Sequence, residues 1–321
     1  MRDHLVKAVA EGVRVYAAVT TDLVNEGIAR HDCYPVAAAA LGRTMTGALL
    51  FAANLKNKEA VTLKFSGDGP LGTVTADATP EGAVRGYVGN PHVNLPLNEH
   101  GKLDVGSAVG RGLLSVTRFT GLKEPITGSC EITDGEIAND LTRYLFLSEQ
   151  TPSSVGLGVL VGRDFKAEAA GGFFIQPLPD AAEETLRQLE ENLGKVRSVS
   201  HMVREGMDGK EMIRQLLKGI PSVGFLAAVG LSFRCQCSRS RIEEVLLSLG
   251  RRELESLAKD GQAEVCCHFC GEKYRFSGEE LTALILRSAE DPVGKGGGDE
   301  KADDGPLKEN QEELDKVHGD L

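Results

Sequence analysis

Tryptophan is absent from the 321-residue chain, and aromatic residues make up only 5% of it. Proteins that hold single-stranded nucleic acid commonly stack bases on aromatic side chains, and this chain has few such platforms. Basic residues are also in the minority, with 36 Lys and Arg against 47 Asp and Glu and a formal net charge of −11. Because phosphate contacts require a basic surface, the composition argues against a general nucleic-acid binder.

Membrane and export signals are missing as well. No apolar run approaches the roughly 20 residues that cross a bilayer, and the N-terminal MRDHLVKAVAEGV mixes charges among its apolar residues, unlike a secretory signal. We therefore expect a cytoplasmic protein. Thiols stay reduced in the cytosol, so clustered cysteines there indicate metal or redox chemistry more often than structural disulfides.

Residues 1–178 predict an α+β domain with antiparallel strands. Val13–Val19 alternates like a strand, and the Ala-rich stretch from Pro35 to Leu55 favours a helix that starts at the proline. Three short β runs follow in residues 60–90, separated by Gly, Asp and Pro, and they predict an antiparallel meander. The glycines of GDGPLG are followed by no helix and predict a turn, not a phosphate loop. A helix in 134–150 and apolar strands at 155–162 and 171–176 complete the domain.

Residues 179–231 predict a metastable helical linker. Pro177 and Pro179 mark its start, Asp180 is expected to cap the first helix, and Gly194 to end it. Two glycines, Gly206 and Gly209, interrupt the approach to a second helix, each at a cost of roughly 1 kcal/mol relative to Ala. The apolar stripe of that helix consists of Met212, Ile213, Leu216 and Leu217. Such helices depend on a neighbouring surface for stability.

Residues 232–290 predict a small separate domain. FRCQC is expected to form a short strand, and the pairs Ser240–Glu243 and Ser277–Glu280 each predict a helix-capping box. So few large apolar side chains make a marginal core, and small units of this kind usually need a cross-link such as a disulfide or a bound metal ion. Residues 291–321, rich in Gly and acidic residues, predict a disordered acidic tail.

Four of the seven cysteines are predicted to provide that cross-link by binding a metal ion. Cys235 and Cys237 are two residues apart on the expected strand, so their side chains point the same way. Cys267-x-x-Cys270 followed by Gly271 is typical of a metal knuckle, in which two thiolates converge and the glycine lets the chain reverse. Four thiolates form a tetrahedral set that suits Zn²⁺, although the pairs lie farther apart than the usual fifteen to twenty residues.

Cys266 and His268 compete for a ligand position. In an extended segment Val265 and Cys267 share one face, while Cys266 points away, and the ring of His268 would have to fold back over the turn. Both are therefore disfavoured as ligands, without being eliminated. Cys33 and Cys130 lie in no recognisable motif and are interpreted as structural cysteines.

Oxidation of the cluster would have structural consequences. In a fully extended chain Cα atoms two residues apart are about 6.6–7 Å apart, at the upper edge of the disulfide range, so a bond between Cys235 and Cys237 would bend the strand. It would also remove two metal ligands. Because loss of its metal costs a stapled domain much of its folding free energy, residues 232–290 should unfold, and the linker helices could lose support.

The ordered set of C-x-C, C-x-x-C-G and YRF, behind GLKEPITG and SEQTPSSVGLGVLV, resembles the redox-regulated 33 kDa chaperonin family over residues 3–290. The resemblance implies a cytosolic holdase, not an enzyme, that is idle when reduced and bound to one zinc per chain. It implies Cys235, Cys237, Cys267 and Cys270 as the ligands, and Cys235–Cys237 and Cys267–Cys270 as the redox disulfides. It also implies zinc release and linker loosening on oxidation, unfolded proteins as clients, and a homodimer when oxidised. The surface that binds clients is not specified.

Two positions depart from that family pattern, and two other functions compete with it. Cys266 adds a thiol that could mispair, and Ile126 stands where an aromatic residue is expected. A zinc-ribbon nucleic-acid module would use the arginines near the cysteines, but acidic residues surround them in the sequence. A thiol oxidoreductase would want a thioredoxin-like βαβ context around Cys267 and Cys270, which is missing.

Overall fold

The computed structural model describes residues 2–290, so the predicted acidic tail lies outside the described residues. The described chain forms two compact units that meet in sequence between Arg234 and Cys235. Mixed helices and antiparallel sheets confirm the expected α+β class.

Twelve strands and seven helices make up the described part of the first unit. In chain order they are β1 (His4–Ala10), β2 (Val13–Val19), α1 (Thr21–His31), α2 (Pro35–Ala52), β3 (Ala60–Gly67), β4 (Thr73–Ala78), β5 (Ala83–Val88), α3 (Val105–Val109), β6 (Gly112–Phe119), β7 (Ile126–Glu131), α4 (Ala138–Leu147), β8 (Ser154–Val161), β9 (Ala167–Pro177), α5 (Glu183–Lys195), α6 (Val199–Arg204), α7 (Gly209–Leu216), β10 (Gly224–Phe225), β11 (Val229–Gly230) and β12 (Ser232–Phe233).

These strands form two six-stranded sheets. The first has the order β10-β1-β2-β9-β8, with β11 also paired to β1, and the second has the order β12-β5-β4-β3-β6-β7. The meander predicted for residues 60–90 is confirmed as antiparallel β3, β4 and β5, and GDGPLG forms the turn between the first two. All pairings are antiparallel except that of β12 with β5.

Helix α2 packs against strands of both sheets and is almost completely buried. It begins at Pro35 as predicted and ends at Ala52, three residues before the expected Leu55. By length and composition α2 is apolar enough to cross a membrane, so the expectation that no apolar run approaches that length was wrong. Its apolar window is 89% buried within the protein, and burial between the sheets accounts for its composition.

Helices α5, α6 and α7 cover the face of β1, β2 and β9. The predicted stripe is confirmed, since Met212, Ile213, Leu216 and Leu217 are all buried in a cluster with strand residues such as Val15. The boundaries differ from expectation: α5 starts at Glu183 without a side-chain cap, so Asp180 does not cap it, and Gly194 lies inside the helix. Gly206, with φ +89°, separates α6 from α7, and Asp208 caps the latter.

The second unit consists of α8 (Arg239–Ser248), α9 (Arg251–Lys259), the hairpin β13 (Gln262–Cys266) and β14 (Lys273–Ser277), and α10 (Gly278–Glu290). Its core is as small as expected, with six buried side chains: Leu246, Leu254, Phe276, Leu281, Leu284 and Ile285. The capping box before α10 is confirmed, because Glu280 N–H donates to Ser277 Oγ at 3.2 Å and Ser277 N–H donates to Glu280 Oε2 at 2.8 Å. Ser240 is not a cap; Ser238 Oγ accepts from Arg241 N–H instead.

Truncation of Ile213 should weaken α7 selectively. This side chain is fully buried beneath the sheet face, and Ile213→Ala should cost about 2–5 kcal/mol because large-to-small core changes leave a cavity. Hydrogen exchange of residues 209–216 in the reduced protein measures the effect. Lys210→Ala, an exposed position on the same helix, is the matched control, and equal exchange in the two variants would contradict the packing described.

Candidate metal centre

Cys235 and Cys237 lie in the irregular stretch between β12 and α8. The expectation that FRCQC forms a strand was wrong beyond Phe233, because only Ser232 and Phe233 pair with β5. The two cysteines therefore owe their positions to the extended lead-in to α8, where Ser238 is the capping residue with φ −147°.

The second pair lies on a turn that the β13–β14 hairpin presents. Cys267 N–H donates to Glu272 O at 2.8 Å, and the N–H groups of Cys270 and Gly271 donate to Cys267 O at 3.3 and 2.8 Å. Gly271 has φ +69°, a left-handed conformation that glycine adopts without steric cost. This is the knuckle predicted from the sequence, and it turns both side chains to the same side.

The four sulfur atoms of Cys235, Cys237, Cys267 and Cys270 all lie within 4.8 Å of one another. Cys235 Sγ is 3.7 Å from Cys267 Sγ, and Cys237 Sγ is 3.4 Å from Cys270 Sγ. Cys267 and Cys270 are buried, the other two are half-buried, and all four are thiols, not disulfides. The arrangement can hold one metal ion.

The electrostatics of the cluster also fit a cation site. The hydrogen bond with Cys235, followed by burial and nearby thiols, raises the pKa of Cys267 strongly, and burial above all raises the pKa of Cys270 to about 12. Four thiolates in this volume would repel one another unless a cation neutralised them. Sulfur ligands favour Zn²⁺ among the common cytosolic divalent ions, so the donor set fits zinc.

Tyr274 is a member of the site that sequence reasoning missed. Its hydroxyl donates to Cys237 Sγ at 3.2 Å, and this contact is the main reason that the pKa of Tyr274 is raised. A donor at this position offsets negative charge on the sulfur. The available signal was its place on β14 directly after the knuckle, two residues before the buried Phe276.

The remaining cysteines and His268 lie outside the cluster. Cys266 is exposed at the end of β13, pointing away from Cys267 as strand alternation predicted, and His268 is exposed. Cys33 is buried, and burial raises its pKa to about 12. Cys130 is only half-buried, so the expectation of a buried residue holds for Cys33 but not fully for Cys130.

Three basic residues near the cluster, Arg239, Lys273 and Arg275, are paired with acidic ones. Arg239 contacts Glu280 at 2.7 Å and stacks its guanidinium 4.2 Å from the ring centre of Phe276. Lys273 and Arg275 both pair with Glu264, at 3.0 and 2.7 Å. This mixed-charge surface agrees with the interpretation made from the sequence and differs from a basic face for phosphates.

Two sheets that enclose a buried helix, followed by a small four-cysteine unit, define a protein whose second unit carries a candidate metal centre. Residues 3–277 match the family model described as Hsp33 protein. The 33 kDa chaperonin of Bacillus subtilis (strain 168) is 49% identical over 286 residues, covering 88% of this chain and 98% of the relative. That of Desulforamulus reducens is 46% identical over 293 residues, with 90% and 99% covered.

A solved structure agrees with the sequence relatives. The crystal structure of the 33 kDa chaperonin (heat shock protein 33 homolog) from Thermotoga maritima has a TM-score of 0.83 and 35% identity, covering 90% of this chain and 99% of that one. The chain belongs to the Hsp33 family, which confirms the resemblance inferred from its motifs. Family membership supports a chaperone function.

Exchange of single cysteines should separate ligands from bystanders. Cys267→Ser should lose the bound metal, because it removes a buried sulfur that lies against Cys235 Sγ. Cys266→Ser changes the adjacent exposed thiol and should keep one zinc per chain. Native mass spectrometry of freshly purified, reduced protein measures both, and metal retained in Cys267→Ser but lost in Cys266→Ser would overturn the ligand assignment.

Proposed function

We propose that this chain is a cytoplasmic, redox-regulated holdase that is idle when reduced and zinc-bound, and that binds unfolded proteins after oxidation. The observation that carries the proposal is the quartet of sulfur atoms within 4.8 Å, placed in a unit whose core contains six buried side chains. A unit of this size depends on its cross-link for stability.

Cys235, Cys237, Cys267 and Cys270 would hold the zinc. When bound, zinc neutralises the thiolates and ties the segment before α8 to the β13–β14 turn. The residues of the chain supply the rest: the knuckle amides fix Cys267 and Cys270, and the Tyr274 hydroxyl donates to Cys237. The segment before α8 and the β13–β14 turn are far apart in sequence, so a metal held by both would close a long loop. Closing a long loop lowers the entropy of the unfolded chain more than closing a short one, and so stabilises the folded unit more.

Oxidation would convert the ligands into disulfides. Each pair of thiolates would give up two electrons to one hydrogen peroxide molecule, which takes up two protons from the solvent and is reduced to two waters while one S–S bond forms. The pairs are Cys235–Cys237 and Cys267–Cys270, and a sulfur that is bonded to another sulfur no longer serves as a thiolate ligand. The second unit then retains only its small core, which leaves it close to unfolding.

Loss of structure would continue into residues 179–231. α6 and α7 are short helices of six and eight residues, and helices of this length are not stable without packing. Their apolar stripe faces the sheet, so release exposes both the stripe and the strand residues beneath it. Unfolded clients bind to surface of this kind, and the oxidised form acts as a homodimer.

Peroxide treatment should switch the activity on. The reduced protein should leave light scattering by an aggregating, chemically unfolded client unchanged, whereas protein treated with hydrogen peroxide under mild heat should release about one zinc per chain and suppress the scattering. A zinc-responsive dye and circular dichroism report metal release and unfolding in the same sample. Equal suppression by the reduced and oxidised proteins would contradict a redox switch.

A further inference from the structure

Residues 224–233, which we call the strap, run along the edges of both sheets of the first unit. The strap pairs first with β1, through Ala8 with Phe225 and Leu5 with Val229, and then with β5, through Phe233 and Val84. Its N–H groups donate to carbonyl oxygens of the edge strands: Leu226 to Lys7 (2.9 Å), Leu231 to Asp3 (3.1 Å), Ser232 to Gly82 (3.0 Å) and Arg234, the next residue, to Val84 (2.8 Å). The strap is therefore the outermost strand of each sheet.

The strap fits the β1 edge imperfectly. Four positions on β1, from Leu5 to Ala8, face five on the strap, from Phe225 to Val229, so one residue is bulged out of the pairing. On its other side β1 pairs with β2 along its whole length without interruption. The pairing of the strap with β1 is thus less regular than the pairing of β2 with β1. A segment that is paired in this way can leave the edge more easily than β2 can.

The strap is chemically similar to a segment of unfolded protein. From Gly219 to Phe233 no residue carries a charge, and the side chain of Leu226 is 57% exposed. Two cations hold its aromatic rings, Arg214 of α7 over Phe225 at 5.4 Å and Arg30 of α1 over Phe233 at 5.2 Å. The edges of β1 and β5 therefore already accommodate an extended, uncharged, apolar segment.

Main-chain pairing suits a surface that must accept many sequences. Alternate residues of an edge strand direct their N–H and C=O groups to the same side, so removal of the strap would leave a row of unpaired groups on β1 from Asp3 to Val9. Any extended polypeptide can satisfy such a row, because the hydrogen bonds involve no side chains. The strap also ends two residues before Cys235, the first residue of the metal cluster.

We propose that the outer edges of β1 and β5 bind extended, uncharged segments of unfolded polypeptide by strand addition, and that the strap occupies this surface until the cysteine unit opens. This inference rests on the proposed holdase function and adds a main-chain binding surface to the apolar face that release exposes. The strap is then an internal competitor for clients, and its departure is coupled to the cysteines through Arg234, the one residue between the strap and Cys235.

A proline in the strap should open the edge without any oxidant. Leu226→Pro removes the N–H that donates to Lys7 O, whereas Leu226→Ala keeps it and shortens the same exposed side chain. The probe is a fluorescent peptide of sequence GIPSVGFLAAVGLSF with two added lysines for solubility. We expect the reduced, full-length Leu226→Pro protein to bind it at least tenfold more tightly than the reduced wild type or Leu226→Ala, by fluorescence anisotropy.

A second peptide distinguishes strand addition from nonspecific hydrophobic binding. It carries proline at the positions of Leu226 and Leu231, so it keeps its apolar character but loses two donors, and it should bind at least tenfold more weakly. In hydrogen exchange, the first peptide should protect residues 3–9 and 82–84. Equal binding of both peptides would overturn the proposal, and so would protection that is confined to other segments. The proposal would also fail if two Leu226→Pro chains exchanged straps in a dimer and bound no peptide.

The peroxide-treated wild type provides the same test if Leu226→Pro does not fold. The oxidised protein should bind the first peptide and discriminate against the second, with the same protected residues. Suppression of client aggregation by the oxidised protein without that discrimination would reject the edge surface and leave the holdase function standing. Binding by reduced Leu226→Pro together with no suppression by oxidised protein would support the edge surface and reject the redox switch.

Discussion

Repulsion among four neighbouring sulfur atoms is the constraint on which the second unit depends. Thiolates this close are mutually destabilising, and burial of Cys267 and Cys270 adds to the cost, so the reduced cluster is stable only when protonated or when a cation is bound. The core of six buried side chains contributes little free energy of folding to offset this cost. Under the proposed function, the chemical state of the sulfurs would therefore decide whether the unit stays folded.

The same dependence on a neighbour recurs in residues 179–231. α5, α6 and α7 place their apolar side chains on β1, β2 and β9, and the strap that follows completes the edges of both sheets. None of these segments has a core of its own. The first unit therefore combines a body organised around α2 with a covering layer whose stability comes entirely from the body.

Strong local signals made part of this structure predictable. Pro35 fixed the start of α2, the stripe of Met212, Ile213, Leu216 and Leu217 identified α7, and the reciprocal box of Ser277 and Glu280 located α10. The spacing of four cysteines was enough to predict their convergence. For Pro35 and for the box of Ser277 and Glu280, contacts between near neighbours in the sequence decide the local structure.

Predictions failed where distant residues decide. Asp180 and Ser240 have the chemistry of caps, but α5 starts at Glu183 without a side-chain cap, and Ser238 caps α8. The predicted FRCQC strand ends at Phe233, because only Ser232 and Phe233 pair with β5, a strand that is distant in sequence. The strap has no recognisable sequence pattern, since strands of two residues are too short to show alternation. The hydrogen bond from Tyr274 to Cys237 was not predictable because the two residues are 37 positions apart in the sequence.

Burial of Cys33 gives the protein chemical selectivity. Burial raises the pKa of this thiol to about 12, so it is protonated at neutral pH, and the thiolate is the form that oxidants attack. Cys33, in the body around α2, is therefore a poor target for peroxide. Under the proposed function, this part of the scaffold would keep its thiol while the cysteine unit responds to the oxidant.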